Sequence, residues 1–169
     1  MNHARLPILS LPLLLSLAVL FSCSSQPARP VFSDYLEVRE VKSDDPLAAK
    51  FTDAEGEEYR LGDPIVTGKA TSRLQVKRVS DERYDLLVTL LAAEDARWRR
   101  FARSRGRQAA LVIDGRVRCV FDVADPGEAK ENEVLVVAIP NAAQTEEEAA
   151  RLDTFLEERR TARKRSVTE

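Results

Sequence analysis

The chain has 169 residues, with 26 basic and 28 acidic side chains, a formal net charge of −2 and a single histidine, His3. Near-balanced charge at a high charged fraction is typical of a soluble surface and argues against a nucleic-acid partner, because nucleic-acid binders carry a basic excess. Since His3 lies at the extreme N-terminus, the rest of the chain cannot form a Ser-His-Asp or Cys-His catalytic site or a histidine-ligated metal site. We therefore expect no catalytic residue, no metal and no cofactor.

The first residues predict a secretory leader. Arg5 and the N-terminal amine give a basic start, and residues 6–21 form an apolar run rich in leucine. A charged start, an apolar run of roughly 7–15 residues and then small residues are the pattern of a secretory signal. A spanning helix needs about 20 apolar residues, and Pro7 and Pro12 interrupt this run further. The pattern favours a signal peptide over residues 1–22 rather than a membrane anchor.

The end of this run, Leu20-Phe21-Ser22-Cys23, resembles the lipobox of bacterial lipoproteins. The resemblance implies cleavage between Ser22 and Cys23, a diacylglycerol on the Cys23 sulfur, and an acyl chain such as palmitate on the new amine. Phe21 departs from the pattern, because its position is more often occupied by a small residue. Ser24, where an aspartate can signal inner-membrane retention, favours a domain that faces the periplasm from the outer membrane. The alternative is an ordinary signal peptide with an incidental cysteine.

Residues 23–33 then predict a lipidated tether, which Pro27 and Pro30 keep extended. One domain is predicted over residues 34–160, followed by a basic, frayed tail over residues 161–169. With Cys23 carrying lipid, Cys119 is the remaining thiol, so no intramolecular disulfide can form. The domain must then be stabilised by its hydrophobic core.

Alternating apolar and polar residues predict strands within this domain, over residues 35–41, 74–79, 84–91, 109–113, 117–123 and 134–139. Residues 44–58 and 62–68 are rich in turn-forming residues and predict loops. Asp114-Gly115 favours a type I′ turn between two strands, and is the clearest hairpin signal in the sequence. Alternation on the second strand of this hairpin places Val117, Cys119, Phe121 and Val123 on one apolar face, so Cys119 is expected in the core.

Two helices are predicted. Residues 93–105 place Trp98, Phe101 and Ala102 on one face, which predicts Trp98 as a core residue. Thr145 and Glu148 form a T-x-x-E capping box that begins the second helix, whose apolar face includes Leu152. We therefore predict an α+β fold with one antiparallel sheet of about five strands and two helices packed on one face.

Several short motifs between residues 64 and 153 resemble the sequence motifs of one family. They are Val66-Thr67-Gly68-Lys69, Leu87-Val88-Thr89-Leu90, the helix with Phe101, Ala110-Leu111-Val112-Ile113-Asp114-Gly115-Arg116-Val117, and Thr145-Glu146-Glu147-Glu148-Ala149. Together they resemble the head subdomain of the first periplasmic domain of SecD, from the SecD/SecF protein-export family. The resemblance implies a non-enzymatic module that contacts translocating polypeptides or envelope proteins. Arg118-Cys119-Val120-Phe121 departs from the small residue and proline of the family hairpin, and SecD's proton-coupled membrane helices have no counterpart in this sequence.

A basic cluster on and after the first predicted helix is a candidate contact surface for anionic lipid or an acidic partner. It consists of Arg97, Arg99, Arg100, Arg103 and Arg107. The alternative is an ordinary solvated helix face. Gly68-Lys69 does not predict a nucleotide site, because Asp63 stands where a phosphate loop needs glycine. Three function classes stay open: a polypeptide- or protein-binding lipoprotein, a structural envelope lipoprotein, and a carboxylate-dependent envelope hydrolase.

Overall fold

A computed structural model of the chain describes residues 34–104, 107–127 and 134–166. The predicted leader, the Ser22–Cys23 cleavage point, the lipidation of Cys23 and the tether lie outside the described residues. In chain order the elements are β1 (Leu36–Val41), β2 (Ala49–Thr52), β3 (Glu58–Thr67), a 3-10 helix (Gly68–Ala70), β4 (Thr71–Ser80), β5 (Arg83–Leu90), α1 (Ala92–Ala102), β6 (Gln108–Ile113), β7 (Arg116–Asp122), β8 (Val136–Ala143) and α2 (Glu146–Ser166).

Five of these strands close into a small barrel in the order β1-β3-β2-β7-β6. Neighbours pair antiparallel, except that β2 and β7 pair in parallel at Thr52 and Arg116. Because successive side chains of a strand point to opposite faces, each strand contributes residues both to the barrel interior and to its outer surface. The apolar residues that fill the interior are Phe51, Leu61, Ala110, Val112 and Val117.

The barrel interior also holds an ion pair from β1. Glu37 and Arg39 are 1% and 5% exposed, and Arg39 Nε lies 2.6 Å from Glu37 Oε2. Arg39 Nη1 also donates to the Gly62 carbonyl at 2.8 Å, and its guanidinium carbon lies 4.9 Å from the centroid of the Phe51 ring. These contacts replace the water that both charges lose on burial, a loss that is otherwise strongly destabilising.

Asp114 and Gly115 join β6 to β7 and confirm the predicted hairpin. Both have positive φ, 44° and 79°, as a type I′ turn requires. A register shift after Leu111 changes the faces of the second strand. As a result, Val117 lies in the barrel interior, whereas Phe121 and the partly buried Cys119 pack in a larger core outside the barrel. Cys119 is therefore a core residue, as expected, but it does not share a face with Val117.

The remaining strands form a three-stranded antiparallel sheet, β4-β5-β8, with β5 at its centre. The inner face of this sheet packs on the outer surface of the barrel and on both helices in one hydrophobic core. Its sheet residues include Leu86, Val88 and Ile139, the barrel adds Leu36, Val38 and Leu111, and the helices add Trp98, Phe101, Ala102, Leu152 and Leu156. Trp98 is a core residue, as predicted, and both helices lie on the same face of the sheet.

The Thr145 cap at the start of α2 is present, and the Glu148 side chain reaches back to the amide before the cap instead of to the Thr145 amide. The Glu148 amide donates to Thr145 Oγ1 at 3.2 Å, and the Gln144 amide donates to Glu148 Oε2 at 3.0 Å. The helix continues past Arg160 to Ser166, so residues 161–166 are helical and not the frayed tail that we expected.

The α+β class is confirmed, but the described residues form eight strands in two sheets rather than one sheet of about five strands. β2 lies within residues 44–58, and β3 runs through residues 62–68, where loops were expected. β3 accommodates Gly62 and Pro64 because its pairing with β1 is interrupted by register shifts around Arg39. Irregular pairing of this kind relieves the need for a proline N–H in the ladder.

Candidate functional site

The predicted basic surface is only partly present, and Arg99 is the clearest correction. Arg99 is 6% exposed, its Nε lies 2.6 Å from Asp95 Oδ1, and its Nη1 donates to the Gly127 carbonyl at 3.1 Å. The reason is helical phase: Arg99 follows Trp98 and stands four residues after Asp95, which places it at the edge of the packed face. Arg99 therefore ties α1 to the segment after β7 and is not part of a contact surface.

Two further arginines of this cluster also bind within the domain. Arg97 Nη2 donates to the Pro64 carbonyl at 2.6 Å. Arg107 Nη1 lies 2.7 Å from Glu40 Oε1, and its guanidinium carbon lies 5.2 Å from the centroid of the Phe101 ring. Arg100 and Arg103 are exposed. The structure therefore does not gather the five arginines into one surface.

A second surface is a better candidate site: the outer face of the β4-β5-β8 sheet, which we call the open face. The helices and the barrel all pack on the opposite face, and among the described residues no element covers the outer one. The strand register shows which side chains lie side by side on this face, and they form three rows, one on each strand. The open face consists of Arg73, Gln75 and Lys77 from β4, Asp85, Leu87 and Thr89 from β5, and Val136, Ala138 and Pro140 from β8.

The chemistry of the open face changes from one edge to the other. The β8 row is apolar, with Val136 48% exposed and Ala138 also exposed. The central row is mixed, since Leu87 and Thr89 are half-buried while Asp85 accepts from Arg83 Nε at 2.9 Å. The β4 row is polar and basic. Charged side chains on an exposed edge strand such as β4 disfavour uncontrolled pairing with other strands at that edge.

A cavity of about 330 Å³ adjoins the apolar row. Its apolar lining includes Leu135, Val136 and Val137 at the start of β8, together with Trp98 of α1 and Phe121 of β7. Its polar lining includes Arg83, Asp85, Asp122 and Asp125. A space of this size lies at the lower end of the roughly 300–1,000 Å³ of small-molecule sites. A lining of both apolar and charged residues suits one or two side chains of a partner.

Each carboxylate of the cavity has a hydrogen-bond donor within the domain. Besides Arg83, the amide of Asn141 donates to Asp85 at 3.3 Å. Gln108 Nε2 donates to Asp122 at 3.1 Å, and the Gly127 amide donates to Asp125 at 2.9 Å. Within residues 34–104, 107–127 and 134–166, no group of three or more metal-ligating side chains comes together. These contacts show the carboxylates holding the local backbone and strands in place.

Cys119 is the free cysteine among the described residues, so its thiol is the candidate nucleophile. Burial raises the pKa of the Cys119 thiol to about 12. Since the thiolate is the reactive form, Cys119 is a poor nucleophile at neutral pH. It contributes to packing.

The sequence contained one signal for the open face that the strand prediction did not use. Apolar residues occupy consecutive positions of β8, from Val136 to Pro140, rather than alternate ones. In a sheet covered on one face only, such continuity leaves one apolar row uncovered. An uncovered row of this kind marks a candidate interaction surface.

No helix in the described part of the chain is both long and apolar enough to cross a membrane. No family model matches the sequence, and no curated protein matches it. The structure is similar to a solved structure of SecDF, a membrane component that enhances protein export, at a TM-score of 0.50 and 19% sequence identity. The similarity covers 72% of this chain and 60% of that one, so this chain spans less than two thirds of its length.

A crystal structure of SecDF in its super-membrane-facing form is also similar, at a TM-score of 0.41 and 20% identity over 60% of this chain and 16% of that one. The first of these two similarities, together with the topology above, shows that this chain shares its fold with part of SecDF.

Proposed function

We propose that this chain is a membrane-anchored, extracytoplasmic module that binds polypeptides on its open face without enzymatic activity. The observation that carries the proposal is the open face itself. It is a sheet surface that no other described residue range covers, with an apolar row along β8 and a side-chain-sized cavity beside that row. Exposed apolar rows on a soluble domain mark interaction sites, because leaving them in water is unfavourable.

An extended polypeptide matches the spacing of this surface. Alternate residues of a strand lie roughly 6.8 Å apart on one face, and this is the spacing between Val136 and Ala138, and again between Ala138 and Pro140. A chain lying along β8 therefore brings every second side chain against the apolar row. Contacts of this kind depend on apolar area and not on a particular sequence, which suits a module that holds many different polypeptides.

The fold and the N-terminus give the proposal its setting. Similarity in fold to SecDF, which enhances protein export, supports a role in contact with exported polypeptides. The lipobox-like segment ending at Cys23 supports lipid attachment at the membrane surface. Because the chain spans only part of SecDF, we propose a holding role alone and not the whole export activity. Anchoring at the outer membrane belongs to the same proposal.

Two alternatives make different predictions for the open face. A structural envelope lipoprotein leaves it unoccupied, so unfolded chains do not bind there. A carboxylate-dependent hydrolase must use Asp85, Asp122 or Asp125, and removing these side chains would then abolish an activity. The internal hydrogen bonds of all three carboxylates favour the binding proposal over the hydrolase.

The proposal predicts that a charge in the apolar row weakens binding. We expect Val136→Asp to lower the affinity for a fluorescein-labelled, reduced and alkylated unfolded protein by about tenfold. The reason is that losing the burial of one valine side chain is worth about 1.5 kcal/mol. Fluorescence anisotropy with the full chain, purified from the envelope in detergent micelles, measures the dissociation constant.

Leu47→Asp is the matched control. Leu47 is 81% exposed and lies in the segment between β1 and β2, outside the open face. The control should bind as the unchanged chain does. Equal affinities of Val136→Asp and the unchanged chain, or no binding by either, would remove the open face as a polypeptide site.

A further inference from the structure

The last turns of α2 extend beyond the hydrophobic core and are basic. Leu156 is 2% exposed and is the last buried residue of α2 among those whose side chains the structure describes, and α2 continues to Ser166. Residues 159–165 include Arg159, Arg160, Arg163, Lys164 and Arg165 and contain no acidic residue. We call these residues the basic helix end. They extend roughly 10 Å along the helix axis, at about 1.5 Å per residue.

The chain enters the domain beside this helix end. Tyr35, the second described residue, packs edge-on against Phe155 with ring centroids 6.5 Å apart. The Arg159 guanidinium lies over the same Phe155 ring, 5.2 Å from its centroid. The tether that precedes residue 34 therefore leaves the domain about one helical turn from the first basic residue of the helix end.

The two ends of this basic segment differ in their contacts. Arg159 Nη2 lies 2.9 Å from Asp114 Oδ2, and Arg160 pairs with Glu157 at 3.0 Å. The Arg159 pair links the start of the segment to the turn between β6 and β7, whereas the Arg160 pair lies within α2. Arg163, Lys164 and Arg165 follow beyond them in the sequence, and Arg165 is exposed. The last helical turn is thus the most basic part of α2 in sequence.

We propose that the basic helix end binds anionic phospholipid headgroups next to the lipid anchor. This inference rests on the proposed lipidation of Cys23, and adds a second membrane contact to it. A tether of about ten residues reaches about 35 Å when extended, so the anchor alone leaves the domain free to tumble. A polybasic segment beside a lipid anchor supplies a second, electrostatic attachment.

This contact leaves the open face available. α2 packs on the inner face of the β4-β5-β8 sheet, and the open face is the opposite one. A domain held at the membrane by the basic helix end therefore keeps its polypeptide-binding surface uncovered.

A fluorescent probe at Ala162, an exposed position within the helix end, tests the proposal. In an Ala162→Cys variant the new thiol labels selectively, because Cys23 is acylated and burial raises the pKa of Cys119 to about 12. The full lipidated chain is reconstituted into vesicles of phosphatidylcholine alone, or of equimolar phosphatidylcholine and phosphatidylglycerol. Protection of the probe from the neutral quencher acrylamide then reports docking.

We expect protection in the anionic vesicles only, reversed by high salt. Adding Arg163→Gln, Lys164→Gln and Arg165→Gln should lower the ratio of docked to free domains about a hundredfold, since each basic residue near an anionic surface contributes about fivefold. The matched control, Lys42→Gln, Arg100→Gln and Arg103→Gln, removes the same charge at exposed positions outside both the helix end and the open face and should stay protected.

Equal protection in both vesicle types, or full protection of the triple variant at the helix end, would overturn this proposal while leaving the anchor and the open face intact. A chain that fails to float with vesicles of either composition would instead overturn the anchor, and the present inference with it. Polypeptide binding is measured separately in micelles, so its failure is distinguishable from both.

Discussion

Replacing Cys23 by alanine should abolish lipid attachment completely. The sulfur of Cys23 is the proposed site of the diacylglycerol, and alanine offers no nucleophile to form the thioether. Without the lipid, cleavage before residue 23 should also fail, so the chain should accumulate as an uncut precursor. Metabolic labelling with a palmitate analogue, with intact-mass analysis of the purified chain, measures both effects.

Cys119→Ala is the control for this substitution, because it removes the other cysteine of the sequence. Its thiol is unreactive by burial, so this variant should take up as much label as the unchanged chain. Label retained in Cys23→Ala, or cleavage at the same point without any lipid, would favour an ordinary signal peptide and refute the lipoprotein assignment.

Removing the buried carboxylate in the barrel should have the largest effect on stability. We expect Glu37→Leu to lower the free energy of unfolding by about 3–5 kcal/mol, because it removes the carboxylate that lies 2.6 Å from the buried Arg39 guanidinium. Arg39 is only 5% exposed, so water cannot readily take the place of that carboxylate. Urea denaturation followed by circular dichroism gives the free energy of each variant.

Two comparisons separate the loss of charge pairing from general damage to the barrel. Glu58→Leu removes an ion pair of the same 2.6 Å length, between Lys50 and Glu58, on the exposed surface, and should leave the denaturation midpoint nearly unchanged. The double variant Glu37→Leu with Arg39→Leu should recover much of the lost stability. A double variant as unstable as Glu37→Leu alone would show that the two charges do not act as a pair.

Local signals in the sequence predicted local structure well. Asp114-Gly115 specified a turn that needs two residues with positive φ, and both have it. Thr145 and Glu148 specified the start of α2 through hydrogen bonds that depend only on residues within one helical turn. Trp98 and Leu152 were placed in the core because helical phase determines which side chains share a face.

The division into two sheets was not predictable in the same way. Alternation shows which residues share a face of a strand, but not which strands are neighbours. β1 pairs with β6, some seventy residues away in sequence, and that pairing closes the barrel. β2 was missed because it is four residues long and lies in a polar segment. Glu37 and Arg39 gave no sign of burial, because alternation places them on one face of β1 but does not show that the barrel encloses that face.

The candidate site was missed for a related reason. Whether a sheet face is covered is a property of the whole fold, and the sequence of β8 shows only that its residues are apolar. The arginines on and after α1 were visible as a charge cluster, yet Asp95 and Glu40 pair with Arg99 and Arg107 in the structure. One partner within α1 and one from β1 thus turned part of an apparent surface into internal contacts.

The most direct test of the polypeptide-binding account is photo-crosslinking in living cells from Ala138, at the centre of the apolar row, with Leu47 as the reference position. We expect a pulse-labelled set of newly exported polypeptides to crosslink from Ala138, and few or none from Leu47. Equal crosslinking from the two positions, or none from Ala138, would contradict the account and favour a structural lipoprotein that retains the fold without the polypeptide-binding role.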